Sequence, residues 1–344
     1  MFNWFSKMLS VFSKPIPFYA AAVLLLFSTV AGYLMHPATS TDASGETRQP
    51  PCTAAMETIR QWNYEFTRPL LLADVAVEDN RMIHLKASLS RYVNERIAEG
   101  ILTTASVYVR KVNNGAWISV NDSERYSPGS LLKVPLLIYY LKEAEKNPAI
   151  LKRRIYFSGH FDVPRAPIFT SKGLTPGTSY PVEELLRFMA VYSDNDATVL
   201  LDGFADRKAA EDIYEELGLR RPDPTQRDYS ITVQEAARFF RILYNATYLT
   251  PAMSDYALKL LAQSSFEGGI VKPLGQNIHV PRKFAERGTG DIKQFHEVGI
   301  VYLETQAYLL GVMTKGHDLQ QLSDVVSDIS ETVYDEMRTT NASF

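Results

Sequence analysis

The sequence predicts an α/β (α+β) protein, with an antiparallel sheet flanked by helices and a mostly helical second lobe, behind an N-terminal transmembrane helix. Three observations support this. Strand patterns occur at both ends of the region after residue 82, helical patterns fill its middle, and a long apolar run lies near the N-terminus. The elements follow the order helix, two strands, helical block, three strands, helix. We therefore expect both ends of this region to contribute strands to one sheet, with the terminal helices on one face.

The N-terminal segment is predicted to anchor the protein in a membrane. No charged residue occurs from Pro15 to Met35, and about twenty apolar residues are enough to cross a bilayer. Lys7 and Lys14 precede this run, whereas the first charges after it are acidic. The positive-inside rule then places the N-terminus in the cytoplasm and the rest of the chain outside it. A cleaved secretion signal is the alternative, but its apolar core is usually shorter and ends at small residues.

Composition divides the chain into three parts. Residues 1–36 form the cytoplasmic stub and the anchor, and residues 37–55, rich in Pro, Ser and Thr, form a flexible tether. Residues 56–344 form the folded domain, whose helical lobe extends over about 124–275. Its first segment, 56–82, predicts either a short helix and a strand or a lead-in that packs on the domain.

The first elements of the sheet follow residue 82. Alternating apolar and polar residues predict a half-buried strand over 105–110, and the Asn113-Asn114-Gly115 turn leads to a returning strand at 116–120. An amphipathic helix that ends at Gly100 precedes them, with apolar residues at helical spacing: Leu85, Leu89, Val93 and Ile97.

The helical block and the returning strands complete the pattern. Residues 134–146 predict a helix, and Thr232 with Glu235 forms a capping box at the start of another. Strands are predicted at 279–286, 296–304 and 307–314. A final amphipathic helix is indicated by apolar residues at helical spacing: Leu319, Leu322, Val326, Ile329 and Val333.

Composition argues against several classes of function. The net charge is −3 with both signs well mixed, so nothing indicates a nucleic-acid surface. Cys52 is the single cysteine, so no internal disulfide is possible, and the six histidines show no metal-ligand spacing. His296 precedes Glu297, but the pair is not part of an H-E-x-x-H motif and is interpreted as structural. We expect neither a cofactor nor a metal.

Ser130 and Lys133 are the strongest candidates for chemistry. Side chains three residues apart share one face of a helix, so the lysine amine would lie beside the serine hydroxyl. Pro135 fits the first turn of the helix that follows, which places Ser130 at a helix N-terminus. A serine becomes a nucleophile when a neighbouring base takes its proton, and backbone N–H groups at such a terminus stabilise an oxyanion.

A second motif, Ser193-Asp194-Asn195, follows about sixty residues later. The order S-x-x-K, then S-D-N, then a K-T-G strand is typical of class A β-lactamases and penicillin-binding proteins. The segments YSPGSLLKVPLLIYYL and MAVYSDNDATVLL resemble the nucleophile helix and the S-D-N loop of that superfamily. The chain is therefore identified as resembling its members, over roughly residues 83–338, and the resemblance implies their two-lobed fold with a site between the lobes.

The third motif departs from the family pattern. Its best match is Lys283-Phe284-Ala285, whereas the family has K-T-G or K-S-G. A nearby Gly288-Thr289-Gly290 lacks a preceding lysine and is interpreted as the turn after the strand. In the family the second position carries a hydroxyl that helps to hold the substrate carboxylate. Phe284 cannot make such a bond, so weak affinity for ordinary penicillins is expected.

The resemblance implies roles for the first two motifs. Ser130 would attack the carbonyl and form an acyl-enzyme, while Lys133 either takes the serine proton or tunes the site electrostatically. Ser193 would relay a proton to the leaving nitrogen, and Asn195 would bind the amide of the substrate. Asp194 is expected to brace the loop through backbone hydrogen bonds.

The third motif would complete the site. As a base Lys133 must be partly neutral, which requires desolvation or a nearby positive charge to lower its pKa, and Lys283 is the candidate for that charge. By resemblance, the Lys283 side chain also faces the site. The backbone N–H groups of Ser130 and Glu286 would form the oxyanion hole.

One family feature is missing from the sequence. Class A β-lactamases carry a loop Glu that activates the water for deacylation. The stretch between Leu219 and Thr232 contains no Glu, and it offers only Asp223, Gln226 and Asp228 to orient a water. Acylation followed by slow deacylation is therefore expected.

Three functions remain open on sequence. The leading one is a membrane-anchored serine hydrolase that acts on a β-lactam or a peptidoglycan-like peptide. The second is a catalytically inactive domain that binds a wall peptide or a protein partner, with Phe284 filling the former carboxylate pocket. The third is a serine esterase or amidase with another substrate, since one fold hosts several chemistries.

Overall fold

The computed structural model describes residues 56–339, apart from 62–67, 76, 164–167, 170–171, 223–228, 289 and 305. The predicted anchor and tether (1–36 and 37–55) lie outside these residues. Contacts between residues divide the chain into two compact units, Met1–Thr53 and Ala54–Phe344. All described residues belong to the second unit. None of the helices in this described part is long and apolar enough to cross a membrane.

The elements of the described residues follow the predicted order, with additional strands. The strands are β1 (Met56–Arg60), β2 (Leu70–Val75), β3 (Leu102–Lys111), β4 (Trp117–Val120), β5 (Arg154–Phe157), β6 (Thr178–Pro181), β7 (Arg282–Arg287), β8 (Lys293–Tyr302) and β9 (Ala307–Gly316). The α-helices are α1 (Ile83–Ala98), α2 (Lys133–Lys146), α3 (Val182–Val191), α4 (Asn195–Phe204), α5 (Arg207–Glu216), α6 (Val233–Tyr244), α7 (Pro251–Ala262) and α8 (Leu319–Thr339).

Five antiparallel strands form the main sheet, in the order β4-β3-β9-β8-β7. β3 and β4 precede the helical lobe in the chain and β7, β8 and β9 follow it, as the sequence predicts. β3 and β9 pair along their lengths, from Leu102 opposite Gly316 to Lys111 opposite Tyr308. Among the described strands, β7 pairs only with β8 and is therefore an edge of this sheet.

Helices cover both faces of the sheet. α1 and α8 share one apolar cluster with the sheet, to which Leu89 and Val333 contribute fully buried side chains. Each such side chain contributes about 1.5–3 kcal/mol when it leaves water. On the other face α6 packs against β9, where a Cβ added to Gly311 would lie 2.9 Å from Val233 Cγ2. The predicted helices from the two ends thus cover one face, and the helical lobe covers the other.

Two small two-stranded sheets occur where the sequence did not predict paired strands. β1 and β2 pair with each other where a short helix and a strand were one prediction. β5 and β6 pair within a block predicted to be mostly helical. β5 alternates exposed and buried residues, with Ile155 and Phe157 inside, but four residues are too few for a period-two pattern to exclude a helix. Both pairings are stabilised by packing on distant elements, which local sequence does not encode.

Candidate active site

The residues around Ser130 form a tight turn against the edge strand β7. A 3₁₀-helical turn, Gly129–Leu132, leads directly into α2, so Ser130 precedes the helix by three residues. Gly129 has φ +50°, and a Cβ there would lie 3.4 Å from the Ala285 Cβ. Glycine therefore permits both the left-handed backbone and the close approach to β7. Ser130 is half-buried and lines a cavity of about 1220 Å³.

His296 fixes the segment just before this turn. It is buried in β8, and its Nε2 lies 3.1 Å from the Ser127 carbonyl oxygen. Its Nδ1 accepts a hydrogen bond from the Thr314 N–H, so Nε2 carries the proton and donates to Ser127. Burial lowers the pKa of His296 to about 3, which keeps the ring neutral. The predicted structural role of this histidine is confirmed by these contacts.

Lys133 lies buried at the first position of α2, with its amine turned toward the S-D-N loop. The amine donates to the Ser193 carbonyl oxygen at 2.5 Å, to Ser193 Oγ at 3.1 Å and to Asn195 Oδ1 at 2.6 Å. Burial lowers the pKa of Lys133 to about 7, and the Asp194 carboxylate opposes this shift. An amine that titrates near neutral pH can act as a base.

The Ser130 hydroxyl lines the cavity together with Lys133. It forms no hydrogen bond with the residues that the structure describes, so the expected proximity of the Lys133 amine stays a prediction. The amine has better acceptors across the cleft, in Ser193 and Asn195. In unliganded sites, donor and acceptor groups often align only when substrate binds. We therefore expect the Ser130 hydroxyl and the Lys133 amine to form their hydrogen bond in the substrate complex.

Ser193 is held in a strained conformation between α3 and α4. Its φ of +53° is unusual for a residue with a side chain and costs on the order of 1–3 kcal/mol. Asp194 caps α4 and accepts a hydrogen bond from the Ala197 N–H at 2.6 Å, which is the bracing that the sequence predicts. The cap holds the backbone so that Ser193 Oγ faces both lysines.

Lys283 reaches the same serine from β7. Its amine donates to Ser193 Oγ at 2.9 Å and to the Phe284 carbonyl oxygen at 2.9 Å. Burial, followed by the nearby Lys133 ammonium, holds the pKa of Lys283 well below its usual range. Burial is the main cause that lowers the pKa of both amines, and the expected effect of the Lys283 charge on Lys133 stays a prediction. Because two ammonium groups beside the same hydroxyl repel each other, protonation of both lysines at once is disfavoured.

A buried ion pair holds the start of β7. Arg282 and Glu297 lie 3.4 Å apart with almost no exposed surface. Glu297 also accepts a hydrogen bond from the Ile270 N–H at 2.7 Å, and Arg282 donates to the Phe266 carbonyl oxygen. These contacts join β7, β8 and the segment before β7, and they orient the strand that carries Lys283.

Phe284 faces away from Ser193 into an aromatic cluster. Its ring stacks on Phe266 at 4.5 Å between centroids and meets the edge of Phe169 at 5.1 Å. The side chain is 1% exposed, so it presents nothing to the cavity. The position that bears a hydroxyl in the resembled family is thus part of the core here.

Glu286 contributes a side chain that sequence reasoning overlooked, since only its backbone N–H was considered. It lines the cavity with Ser130, Lys133 and Asn195. Its Oε2 accepts a hydrogen bond from the Ile168 N–H at 3.3 Å. Burial raises the pKa of Glu286 to about 7, against the lowering effects of that hydrogen bond and of Lys283. The sequence could have indicated this role, because Glu286 is a carboxylic acid at the end of the predicted strand that carries Lys283.

The six predicted site residues therefore meet in one place. Four line the cavity, and Ser193 and Lys283 are connected to Lys133 through hydrogen bonds to Ser193 Oγ. The cavity continues along α4 and α5, past Asp202, Arg207 and Tyr214, which the sequence did not single out. No group of three or more potential metal ligands occurs among the described residues.

Comparison with known proteins identifies the family. Residues 88–337 match the model of the β-lactamase enzyme family, which is more than half of the chain. The chain belongs to the β-lactamase enzyme family. The family assignment supports a serine hydrolase and confirms the resemblance found in the motifs. No curated protein sequence matches the chain.

Solved structures show the same fold as this β-lactamase-family protein. PBP-A has a TM-score of 0.63 at 18% identity, over 74% of this chain and 96% of that one. A β-lactamase from Sphaerobacter thermophilus has a TM-score of 0.61 at 19% identity, over 74% and 98%. The TLA-1 extended-spectrum β-lactamase has a TM-score of 0.62 at 14% identity, over 73% and 98%.

Proposed function

We propose that this chain is a membrane-anchored, extracytoplasmic serine hydrolase that forms an acyl-enzyme through Ser130 on a β-lactam or a peptidoglycan-like peptide. The observation that carries the proposal is the buried Lys133 amine, whose pKa is lowered to about 7 beside a cavity lined by Ser130. Burial of an amine without a carboxylate hydrogen-bonded to it is costly for a purely structural lysine. Such an arrangement favours a base that activates a serine.

The acylation step follows from the donors and acceptors on the cleft. Neutral Lys133 takes the proton of the Ser130 hydroxyl as Oγ bonds to the substrate carbonyl carbon, and the carbonyl π pair moves onto its oxygen. The backbone N–H groups of Ser130 and Glu286 are proposed to stabilise that oxyanion. An edge strand such as β7 has N–H groups that point away from its neighbour, and Glu286 lies on it.

Collapse of the tetrahedral intermediate requires a proton for the leaving nitrogen. The amines of Lys133 and Lys283 donate to Ser193 Oγ, which occupies its two lone pairs. The Ser193 hydroxyl proton is then directed toward a third partner, which we propose is the leaving nitrogen. As Ser193 gives up this proton, the Lys133 ammonium replaces it, so that the base is restored.

Slow deacylation is proposed from the sequence between Leu219 and Thr232, which has no Glu. Asp223, Gln226 and Asp228, the residues considered for orienting a water, lie outside the described residues. Slow release of the acyl group is typical of penicillin-binding proteins rather than of efficient β-lactamases. A comparison protein supports this class, since a mutant of PBP-A is described as an acyl-enzyme complex with penicillin G.

A second candidate is a serine esterase or amidase with another substrate. The burial of Phe284 among aromatic rings favours it, because no hydroxyl replaces the missing one at that position. The acylation chemistry is the same in both cases, and the difference lies in the groups next to the scissile carbonyl.

The membrane anchor is supported by the uncharged run from Pro15 to Met35 and by the charges that flank it. Fusions of alkaline phosphatase and of green fluorescent protein after residue 55 test the orientation. An active phosphatase and a dark fluorescent protein in the membrane fraction are expected. A fluorescent fusion in the soluble fraction would contradict the anchor.

Intact-mass spectrometry of the full chain with penicillin G tests the acylation. A mass increase of one penicillin that persists for hours, and that is absent from Ser130→Ala, is expected. Rapid loss of penicillin without a lasting adduct would contradict slow deacylation. No adduct and no loss of penicillin, or of a neutral ester probe, would indicate an inactive binding domain.

A further inference from the structure

The cavity beside Ser130 is larger than the acylation step alone requires. Its volume of about 1220 Å³ exceeds the roughly 300–1,000 Å³ of pockets that hold drug-sized molecules. Asn195, Thr198 and Asp202 of α4 line it, and helical residues at i, i+3 and i+7 share one face. Seven residues rise about 10 Å along a helix, so the cavity follows α4 for about that distance beyond Asn195.

Tyr214 of α5 brings an unused hydroxyl to this extension of the cavity. The residue is 8% exposed and lines the cavity, and its hydroxyl has no hydrogen-bond partner in the described part of the chain. Burial raises the pKa of Tyr214, and the nearby Tyr229 and Asp202 raise it further, so the hydroxyl stays protonated. The effect of Asp202 indicates that its carboxylate lies near this hydroxyl. Because buried polar groups in folded proteins are rarely left without a partner, the Tyr214 hydroxyl is available to a bound molecule.

Asp202 supplies a free negative charge beside Tyr214. Its side chain is exposed in the cavity and has no ion-pair or hydrogen-bond partner among the residues described. The two other charged residues that line this extension, Arg207 and Glu211, form an ion pair at 3.7 Å. Glu211 also pairs with Arg221 at 3.5 Å. A ligand with a positive charge would therefore find its complement in Asp202, whereas an anion would meet an arginine that is already paired.

The cavity also has an apolar wall, to which the start of α2 and the turn before it contribute Leu132, Pro135 and Leu136. These side chains offer a surface for methylene groups. At the end of α4 nearest the reacting groups, Asn195 Oδ1 accepts a hydrogen bond from the Lys133 amine at 2.6 Å. Asn195 is the residue assigned to the amide of the substrate. A group that continues along α4 from there belongs to the acyl part of the substrate.

We infer that Asp202 and Tyr214 form a binding subsite for a primary ammonium group on the acyl part of the substrate, about 10 Å from the reacting carbonyl. An ammonium has three donors, of which the Asp202 carboxylate and the Tyr214 hydroxyl accept two. The methylene chain that carries it lies against the wall at Leu136. The inference rests on the proposed function, because it names the substrate class of that same acylation: an extended acyl donor with an amine, such as a peptide with a basic side chain.

The 4-nitrophenyl esters of 8-aminooctanoic and nonanoic acid form the test pair, because their chains are equally long and end in an ammonium and a methyl group. The second-order rate constant for nitrophenolate release by the full chain in detergent measures acylation at pH 7.5, after subtraction of the rate with Ser130→Ala. Wild type, Asp202→Asn and Tyr214→Phe are compared, and melting temperatures establish that the variants fold. Asp255→Asn is the matched control, since the Asp255 side chain on α7 is 62% exposed and does not line the cavity.

The amine-to-methyl ratio of rate constants separates the outcomes. Differences in how the two esters enter detergent cancel when ratios are compared between variants. We expect the ratio to fall about fivefold or more in Asp202→Asn and about threefold in Tyr214→Phe, and to stay the same in Asp255→Asn.

An unchanged ratio in folded Asp202→Asn overturns the inference and leaves the proposed function intact. The same holds if neither ester acylates a wild-type protein that still forms the penicillin adduct at Ser130. No acylation by either ester or by penicillin G in wild type overturns the proposed function, and the inference with it.

Discussion

Lys133 is the residue whose surroundings determine the chemistry of the cleft. With a pKa lowered to about 7, its amine exchanges a proton near neutral pH, whereas an exposed lysine is almost fully charged there. The three oxygens within 3.1 Å stabilise the ammonium, and burial destabilises it. The balance gives a group that can take a proton from Ser130 and return it at neutral pH.

Substitution of Lys133 tests the base directly. Lys133→Met removes the amine and is expected to slow acylation of Ser130 by about a hundredfold or more. Lys133→Arg is expected to do the same, because a guanidinium stays protonated. The rate of adduct formation with penicillin measures both, with Lys208→Arg as an exposed control. Wild-type acylation by Lys133→Arg would mean that the lysine acts through its charge.

The pH profile of acylation gives a second test of the same residue. The reactive form has a neutral amine, so the rate should rise as the pH increases through about 7 and then level off. The rise should disappear in Lys133→Met, whose residual rate has no such group. A rate that falls over this range would identify a protonated group as the one required.

At the scale of elements, packing around β7 determines what the cleft presents. Phe284 fixes the strand in the core through Phe169, Phe266 and Phe295, and this leaves only the end of the strand at the cavity. The same contacts attach the loop of Phe169 to the strand. A sequence pattern shows that Phe284 lies in a strand, but the rings that surround it come from three distant segments.

Truncation of Phe284 is expected to destabilise the protein. Phe284→Ala should lower the free energy of unfolding by about 3–5 kcal/mol, because it leaves a cavity among aromatic rings. Chemical denaturation measures this against Phe204→Ala, because Phe204 is 49% exposed and its truncation should cost much less, about 1 kcal/mol or less. Similar losses in both variants would show that the cluster collapses around the missing ring.

One carboxylate is among the contacts that hold the pair of strands β1 and β2 against the main sheet. Asp74 accepts a hydrogen bond from Arg241 of α6 at 2.7 Å, and Arg110 of β3 forms an ion pair with it at 2.9 Å. Both arginines are nearly buried. Together with the buried Leu71 and Leu72 of β2, these ion pairs explain why a two-stranded ribbon, which is marginal by itself, stays in place.

Removal of this carboxylate leaves two buried guanidinium groups unpaired. Asp74→Ala is therefore expected to cost about 3–5 kcal/mol of unfolding free energy. Asp255→Ala, which breaks an exposed pair with Lys259, should cost about 1 kcal/mol or less. Urea titrations of both variants decide the matter, and equal effects would show that the arginines find other partners.

At the scale of the whole molecule, the two lobes meet at buried amines, which links stability to pH. Lys133 has a folded pKa of about 7, below its usual value near 10.5. Between these values the unfolded chain binds more protons than the folded one, so stability should rise with pH from about 7 to about 10.5. The cost of burying the charged amine is fully present below about pH 7.

Lys133→Met isolates this contribution. Free energies of unfolding at pH 6.5, 7.5, 8.5 and 9.5 should rise less steeply in the variant than in wild type, because Met does not titrate. Lys208→Met serves as control, since Lys208 is exposed. Parallel curves for wild type and Lys133→Met would show that the pKa of this amine is ordinary in the folded protein.

Local patterns predicted much of the architecture. Period-two and period-3.6 spacing gave the main sheet, α1 and α8, and the Thr232 capping box is present in α6. The hairpins of β1–β2 and β5–β6 were missed, because short strands depend on partners that are distant in sequence. Motif spacing likewise brought Ser130, Lys133 and Ser193 to one cleft, but it did not show that the Lys133 amine turns toward Ser193.

The sequence by itself determined the family, the order of elements and the six residues that gather at the cleft, because motif spacing and side-chain periodicity are local properties. Only the tertiary structure decided the depth of burial of the two lysines, the aromatic setting of Phe284 and the burial of the Glu286 carboxyl. These depend on which distant surfaces meet. Desolvation and hydrogen bonding then set the protonation of each group, and neither can be read from neighbours along the chain.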